Sequence, residues 1–252
     1  IEYDNSMIIA ASILLLNFVV FIVAFIRQTD ALTDFTYCLS FVLGSWLAYY
    51  FSPSTTSFCL SCAITLWAIR LGLYLAYRVH LTGRDKRFDT MRKNFFKFGS
   101  FWFLQGVSVC IILLPFILCF PAITKTATTW LISGLIFFVV GFGIETIADY
   151  QKFSFRRSAQ DDEFCDVGLW SVVQHPNYLG EIICWWSLTI TLTPYFSGWT
   201  WISLLGPIWV TILLTKISGI PLLQQSWAKK YGHLDSFKQY QKNTPLLLPK
   251  LK

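Results

Sequence analysis

Residues 7–26 read MIIAASILLLNFVVFIVAFI, a run that contains no charged side chain. At a rise of about 1.5 Å per residue, a helix of this length crosses the roughly 30 Å hydrocarbon core of a bilayer. A buried helix of a soluble domain is usually shorter and bounded by charges. The stretch therefore predicts a transmembrane helix and puts the chain among integral membrane proteins.

The rest of the chain has the same character. Of its 252 residues, 55% are hydrophobic and only 13% are charged, about half the charged content of a soluble domain. We predict one all-α membrane domain, a bundle of about seven transmembrane helices, with an interfacial segment at 84–100 and a C-terminal tail at 216–252. The odd number of spans puts the N- and C-termini on opposite sides. The predicted spans are 7–26, 35–51, 58–77, 101–120, 127–146, 178–196 and 199–215.

The basic residues predict the orientation. With seven spans, all of the 20 Lys and Arg residues except Lys125 and Arg70 fall on the side of the C-terminal tail. The positive-inside rule assigns that side to the cytosol or the equivalent compartment of an organelle. We expect a multi-pass protein of the endoplasmic reticulum or another organelle membrane, the mitochondrion included. The net charge of +6 then comes from basic residues that face anionic lipid headgroups on one side of the membrane. No nucleic-acid partner is needed to explain it.

The seven cysteines do not predict a disulfide framework or a metal site. Most of them lie in or beside the predicted spans. Cys59 and Cys62 have the spacing of a zinc or redox motif, but no second ligand pair accompanies them. We interpret them as small side chains that pack a helix and expect no metal.

The end of the fifth predicted span carries a stripe of charge. Glu145, Asp149, Lys152 and Arg156 share one helix face, within an arc of about 60° at roughly 100° per residue. Self-paired acids and bases at a helix end would explain part of the stripe. A helix end does not require an acid as deep as Glu145, however. We therefore interpret the stripe as functional, with Lys152 and Arg156 suited to an anionic ligand.

Arg70 lies inside the third predicted span, on one stripe with Tyr74. A guanidinium keeps its proton, and a charge in hydrocarbon is costly. We expect Arg70 to face a wet or protein-lined cavity, with Glu145 or Glu181 as its partner. The alternative is a buried ion pair that only fixes helix packing. Segment 84–100 mixes bases with aromatic residues, which is typical of a helix lying on the membrane surface.

The most specific stretch is residues 166–186, DVGLWSVVQHPNYLGEIICWW. Pro176 suits the first turn of a helix, so His175 is predicted at the mouth of the sixth span. Free N–H groups at such a helix start attract phosphate. His175, Asn177, Tyr178 and Glu181 would converge there, on the basic side of the membrane. The alternative is a capped helix with interfacial aromatic residues.

This segment is similar to the C-terminal signature of the steroid 5-alpha-reductase superfamily, and above all to its branch known as domain of unknown function 1295. The resemblance runs from about Trp67 to Pro245. Its blocks occur in the family's order: Trp67–Leu71, Gly83–Arg87, Glu145–Arg156, Gly168–Trp170, His175–Glu181, Ser218–Leu223 and Lys230–Gly232.

The resemblance implies a bundle of about seven transmembrane helices with an NADPH pocket open to the cytosolic side. It implies, in related members, reduction of an activated C=C bond in a sterol or other lipid. Lys152 and Arg156 match the family's contacts to the cofactor phosphates and ribose. The other cofactor-pocket positions it implies are Trp170, Asn177, Tyr178, Glu181 and, from the tail, Tyr231. Asp149, His175 and Arg70 join them as cofactor-binding candidates because of their charge or position.

The chain departs from the family pattern at two positions. Gln174 stands where the family has Arg, and Gln224 stands where it has an acid. Losing a basic group near the cofactor phosphates would weaken NADPH binding by roughly 1–3 kcal/mol. Catalysis is therefore less strongly implied than the fold.

In such a reduction NADPH supplies the hydride, and negative charge builds on the substrate's carbonyl oxygen. A Tyr hydroxyl or a protonated carboxyl group must stabilise that oxygen. The candidates are Tyr178, Tyr74 and Glu145. A buried Glu145 can stay protonated, whereas pairing with Arg70 would keep it ionised and favour a Tyr.

Two other functions stay open. The His175–Gly180 segment also resembles that of isoprenylcysteine carboxyl methyltransferases, which use S-adenosylmethionine; the charge stripe and Gly168–Trp170 favour the reductase side. The chain would otherwise be a non-catalytic accessory subunit that keeps the reductase fold within a larger membrane complex, and Gln174 and Gln224 favour that alternative.

Overall fold

The computed structural model describes residues 2–82, 88–160 and 162–250, and within these ranges it contains only helices and turns. This confirms the predicted all-α class. The basic turn of the interfacial segment, residues 83–87, lies outside the described residues. So do the Asp85 and Arg87 positions of the family pattern.

The helices follow the apolar pattern of the sequence. Twelve α-helices are described, and 3₁₀ turns at Phe120–Ala122, Thr193–Tyr195 and Gly198–Leu204 and a π turn at Leu213–Ile217 join some of them. The helices are α1 (Glu2–Ile26), α2 (Thr33–Phe51), α3 (Thr55–Thr82), α4 (Phe88–Met91), α5 (Phe95–Ile112), α6 (Leu114–Cys119), α7 (Thr128–Ser158), α8 (Leu169–Val172), α9 (Pro176–Ile190), α10 (Leu205–Ile212), α11 (Ile220–Tyr231) and α12 (Asp235–Asn243).

Five helical stretches of the described chain are long and apolar enough to cross a membrane: Asp4–Ile26, Thr55–Tyr77, Phe95–Ile112, Thr128–Ser158 and Gly198–Tyr231. The predicted second and sixth spans correspond to α2 and α9, which have 19 and 15 residues. The chain is thus a helical membrane protein, and the count of seven spans stays a prediction.

The chain divides into two compact units. The first comprises residues 1–131 and 192–206, and the second comprises residues 132–191 and 207–252. The first unit contains α1 to α6, and the second contains most of α7 and all of α8, α9, α11 and α12.

A buried polar node joins three helices of the first unit. The Asn17 side-chain amide on α1 donates to the Ile13 carbonyl and to Ser40 Oγ on α2, both at 2.9 Å. Gln105 Nε2 on α5 donates to Asn17 Oδ1 at 3.1 Å and to the Thr33 carbonyl at 3.3 Å. Hydrocarbon offers these groups no other partner, so interhelical hydrogen bonds of this kind fix which helix faces meet.

An ion cluster closes one end of the first unit. Arg92, directly after α4, is buried and pairs with Asp30 at 2.9 Å and with Asp89. Asp30 belongs to the turn that follows α1. A buried guanidinium with two carboxylate partners keeps its charge compensated, so the cluster ties the end of α1 to α4.

In the second unit, α7 and α9 touch backbone to backbone. A Cβ atom added at Gly180 would lie 2.6 Å from the Glu145 nitrogen and from the Gly141 oxygen. A Cβ atom added at Gly141 would lie 2.8 Å from the Gly180 oxygen. Small residues allow membrane helices to approach this closely, where many weak dispersion contacts accumulate. The two glycines therefore set the distance between α7 and α9.

We expect Gly180→Ala to destabilise the protein by about 1–3 kcal/mol, because the new methyl group meets backbone atoms that cannot rotate away. Gly143→Ala on α7 is the matched control, since a Cβ atom there has no neighbour within 4 Å. That control should be neutral or slightly stabilising through helix propensity. The measurement is the thermal midpoint of the detergent-solubilised variants. Equal midpoints for the two would contradict the close packing.

Candidate functional site

A narrow cleft in the second unit is lined by basic side chains and aromatic rings. Its lining comes from α7, the loop before α8, α8 itself, α11 and α12. The cavity volume is only about 10 Å³, room for about one water molecule. The lining residues are Lys152, Arg156, Phe164, Cys165, Trp170, Trp227, Tyr231, Phe237 and Tyr240.

Lys152 lies against two aromatic rings of this cleft. Its ammonium nitrogen lies 4.5 Å from the centroid of the Trp170 ring and 5.3 Å from that of Trp227. Arg156, one turn later on α7, is exposed, and its guanidinium carbon lies 6.0 Å from the Tyr231 ring centroid. Cation–π contacts of this kind hold a side chain by about 0.5–2 kcal/mol. A ligand that brings its own aromatic ring and anionic groups can replace them.

Three hydrogen bonds hold Trp170 and the residue before it. Its indole N–H donates to the Ala148 carbonyl on α7 at 2.9 Å, and its own carbonyl accepts from the Tyr240 hydroxyl at 2.7 Å. The neighbouring Leu169 N–H donates to Gln151 Oε1 at 2.9 Å. Gly168, with φ +59°, turns the chain into α8, and a Cβ atom there would collide with the Gln151 amide. The cleft wall is therefore fixed to α7.

Three aromatic rings stack beside the cleft. The His175 imidazole lies parallel to Trp227, with ring centroids 5.0 Å apart, and to Tyr178, with centroids 5.6 Å apart. His175 is fully buried, and neither ring nitrogen has a hydrogen-bond partner among the described residues. The stack links the start of α9 to α11. It also leaves a buried imidazole whose polar atoms are unpaired.

The surroundings control the ionisation of this region. Burial, with the nearby Lys152 charge, lowers the pKa of His175 to about 3, so the ring is neutral at physiological pH. Burial also raises the pKa of the Cys165 thiol, which keeps it protonated and unreactive. The pKa of the Tyr240 phenol is raised by burial and by Cys165 and Asp166. The basic side chains that line the cleft are Lys152 and Arg156.

Unpaired polar atoms mark the inner part of the site. The Tyr231 hydroxyl is buried and has no hydrogen-bond partner among the described residues, and the same holds for Asn177 Oδ1. The Asn177 amide nitrogen donates to Asp149 Oδ1 at 3.3 Å. Unpaired buried groups cost roughly 1–3 kcal/mol each, which a bound ligand or water can remove.

Two buried acids lie further along α7. Asp149 and Glu145 are 5% and 2% exposed, one and two turns inward from Lys152. Because α7 continues as one helix to Ser158, the four charged residues of the stripe share one of its faces. Glu181 on α9 is half-buried.

The two departures from the family pattern contact each other. Gln224 Nε2 donates to Gln174 Oε1 at 3.2 Å. Gln174 Nε2 in turn donates to the carbonyls of Thr244 at 2.7 Å and Gln241 at 3.1 Å, and its backbone N–H donates to Pro245 at 2.9 Å. Two neutral amides therefore pair at positions 174 and 224. Gln174 therefore clamps the tail and does not line the cleft.

The structure brings four predicted site residues into the cleft: Lys152, Arg156, Trp170 and Tyr231. His175 stacks on Trp227, which lines the cleft, and Tyr178 stacks on the other side of the series, against His175. Arg70 and Tyr74 lie half-buried on α3 in the first unit, and their predicted roles stay predictions. Sequence reasoning missed Trp227, Phe164, Phe237 and Tyr240. The sequence carries one signal for them. Trp227 lies four residues before Tyr231 on α11, and Phe237 lies three residues before Tyr240 on α12, so each pair shares one face of its helix.

The comparison with known families decides the relationship. The family model described as protein of unknown function (DUF1295) matches residues 20–244. The chain belongs to this family. The match spans most of the chain and includes the cleft residues from Lys152 to Tyr240, so the DUF1295 assignment covers both units. No curated protein and no solved structure shows a match to the chain.

His175 should make the stability of this DUF1295 protein depend on pH. Its pKa in the folded state is about 3, against about 6.5 when unfolded, so only the unfolded state takes up a proton as the pH falls below about 6.5. As the pH falls below about 6.5, this group should lower the free energy of unfolding by up to about 1.4 kcal/mol per pH unit. Above pH 6.5 it has no effect on the pH dependence. His175→Phe keeps the stack and removes the proton site. Unfolding midpoints of both proteins, measured from pH 7.5 to 4.5, should diverge towards acid; parallel curves would contradict the argument.

The amide pair can be tested with a double-mutant cycle. Gln174→Arg alone places a buried charge beside a neutral amide, and Gln224→Glu alone places a carboxylate beside an amide oxygen. Each should destabilise the protein. The double variant restores complementary charge, so we expect a favourable coupling energy of about 1–3 kcal/mol in the free energy of unfolding. Additive effects would show that the two residues act independently.

Proposed function

We propose that the protein is a membrane-embedded, NADPH-dependent reductase that acts on an activated C=C bond in a sterol or other lipid enone. The observation that carries the proposal is the cleft in which Lys152 and Arg156 stand against Trp170, Trp227 and Tyr231. Cations and flat aromatic faces are the groups that bind nucleotide phosphates and bases.

The chemistry of the lining fits a dinucleotide, although the space does not yet admit one. Two fixed positive charges suit the phosphates of NADPH. The Tyr231 hydroxyl, the His175 nitrogens and Asn177 Oδ1 are buried polar atoms without described partners, and a ligand would satisfy them. The volume of about 10 Å³ is far below the roughly 300–1,000 Å³ of a ligand pocket, so the cleft would have to open before the cofactor entered.

When bound, the cofactor would supply a hydride to the β-carbon of a conjugated carbonyl compound. The residues of this chain have the other tasks. Lys152 and Arg156 would hold phosphate groups, and Trp170 and Trp227 would exclude water. An acid or hydroxyl must stabilise the oxygen on which negative charge builds. Tyr178, held against His175, and the buried Glu145 are the candidates of the second unit, and Tyr74 is that of the first.

A second function is favoured by the closed cleft. The small volume and the fully hydrogen-bonded Gln174 suit a structural pocket that takes no nucleotide. In that case the protein is an accessory subunit of a larger membrane complex.

Calorimetry with NADPH separates the two proposals, with NADH and S-adenosylmethionine as comparison ligands. The reductase proposal expects micromolar NADPH binding that exceeds NADH binding. Lys152→Met keeps the packed stem and removes the charge, and should weaken NADPH binding by about tenfold to a hundredfold. Arg156→Gln should have a smaller effect because Arg156 is exposed.

Lys229→Met is the matched control, since Lys229 is an exposed base on α11 that does not line the cleft. It should bind NADPH like the wild type. A protein that binds NADPH should then consume it when lipid enones are added. No binding of any nucleotide would overturn the reductase proposal and favour the accessory subunit, whose partners should co-purify at a fixed ratio. Binding of S-adenosylmethionine alone would favour a methyltransferase.

A further inference from the structure

A groove runs between α1 and α5 in the first unit, which the proposed reductase cleft does not use. Its volume is about 510 Å³, within the range of sites that hold small molecules. The walls are almost entirely apolar. They are formed on α1 by Leu14, Phe18 and Phe21, and on α5 by Phe95, Gly99 and Phe103.

Two small residues of α5, Gly99 and Ser100, line the groove and leave its space open. Gly99 has no side chain, and a Cβ atom there would already lie 3.2 Å from the Phe21 ring. Ser100 is the next lining residue and is exposed. Phe18 and Phe103 are 57% and 61% exposed on helices that can cross a membrane. The groove therefore opens towards lipid chains rather than towards water.

Three basic residues belong to the chain segments at one end of the groove. Arg27 follows α1, and Lys93 and Lys97 flank the start of α5. The two helix ends are adjacent because the Phe95 ring lies 5.2 Å from both Phe21 and Phe25. All three bases are exposed, and none forms an ion pair with a described residue, unlike the buried Arg92.

We propose that this groove binds an anionic phospholipid. One acyl chain lies against the aromatic walls, and the phosphate meets Arg27, Lys93 and Lys97. The combination of apolar groove and basic mouth selects this occupant. A neutral sterol leaves the three cations without a partner, and a soluble phosphate leaves the groove empty.

The test is lipid binding to the purified, detergent-solubilised protein, followed by native mass spectrometry and by the thermal midpoint. The ligands are phosphatidylglycerol, phosphatidylcholine with the same acyl chains, and glycerol 3-phosphate. Phosphatidylglycerol should remain bound and raise the midpoint with the logarithm of its concentration once that exceeds Kd. Phosphatidylcholine should bind at least about tenfold more weakly, and glycerol 3-phosphate should neither bind nor compete.

Two variants locate the site. The triple variant Arg27→Gln, Lys93→Gln, Lys97→Gln should weaken phosphatidylglycerol binding at least about tenfold and abolish the preference over phosphatidylcholine. Ser100→Phe should fill the groove and weaken both phospholipids while the three charges remain.

The matched control is Lys216→Gln, Lys229→Gln, Lys242→Gln. It removes the same charge from exposed positions of the second unit and should bind phosphatidylglycerol like the wild type. Equal losses in the two triple variants would overturn the proposal, because they would reflect bulk charge alone. Equal binding of the two phospholipids to the wild type, or displacement by glycerol 3-phosphate, would overturn it as well. Neither result bears on NADPH binding, which involves other residues.

Discussion

The backbone contact of α7 with α9 at Gly141 and Gly180 is the constraint on which the second unit depends. It fixes α7, which carries Lys152 and Arg156, against the start of α9, which carries His175. Side chains at either glycine would separate the helices. Two further contacts complete the cleft. The hydrogen bond from Trp170 to Ala148 attaches α8 to α7, and the stack of His175 on Trp227 attaches α11 to the start of α9.

The first unit solves the same problem with polar groups. Hydrocarbon gives no hydrophobic force between membrane helices, so specificity must come from close packing or hydrogen bonds. Asn17 takes part in hydrogen bonds to α2 and α5, and Arg92 ties the turn after α1 to α4. Buried polar groups with several partners leave few alternative arrangements of the helices.

The tail of the DUF1295 chain is part of the second unit's core. Tyr231 and Phe237 are each 1% exposed, and Gln174 holds the carbonyls of Gln241, Thr244 and Pro245. An amide pair at Gln174 and Gln224 keeps this clamp without burying charge. A neutral amide pair avoids the desolvation cost that two buried charges would carry, so it is compatible with a stable fold. Gln174 and Gln224 thus hold the tail, and the cations of the cleft are Lys152 and Arg156.

The sequence alone determined the class of the protein. Long uncharged runs such as 7–26 predict membrane helices because hydropathy is a property of a local window. The face shared by Asp149, Lys152 and Arg156 follows from helical period, and the segment from Gly168 to Glu181 identified the family. Only the tertiary structure decided that Trp227, Phe237 and Tyr240 complete the cleft, that Gln174 pairs with Gln224, and that α1 and α5 enclose a groove. Those contacts join residues far apart in the chain, and they depend on how closely particular helix faces approach. The order of residues along the chain does not specify how closely two helices approach each other.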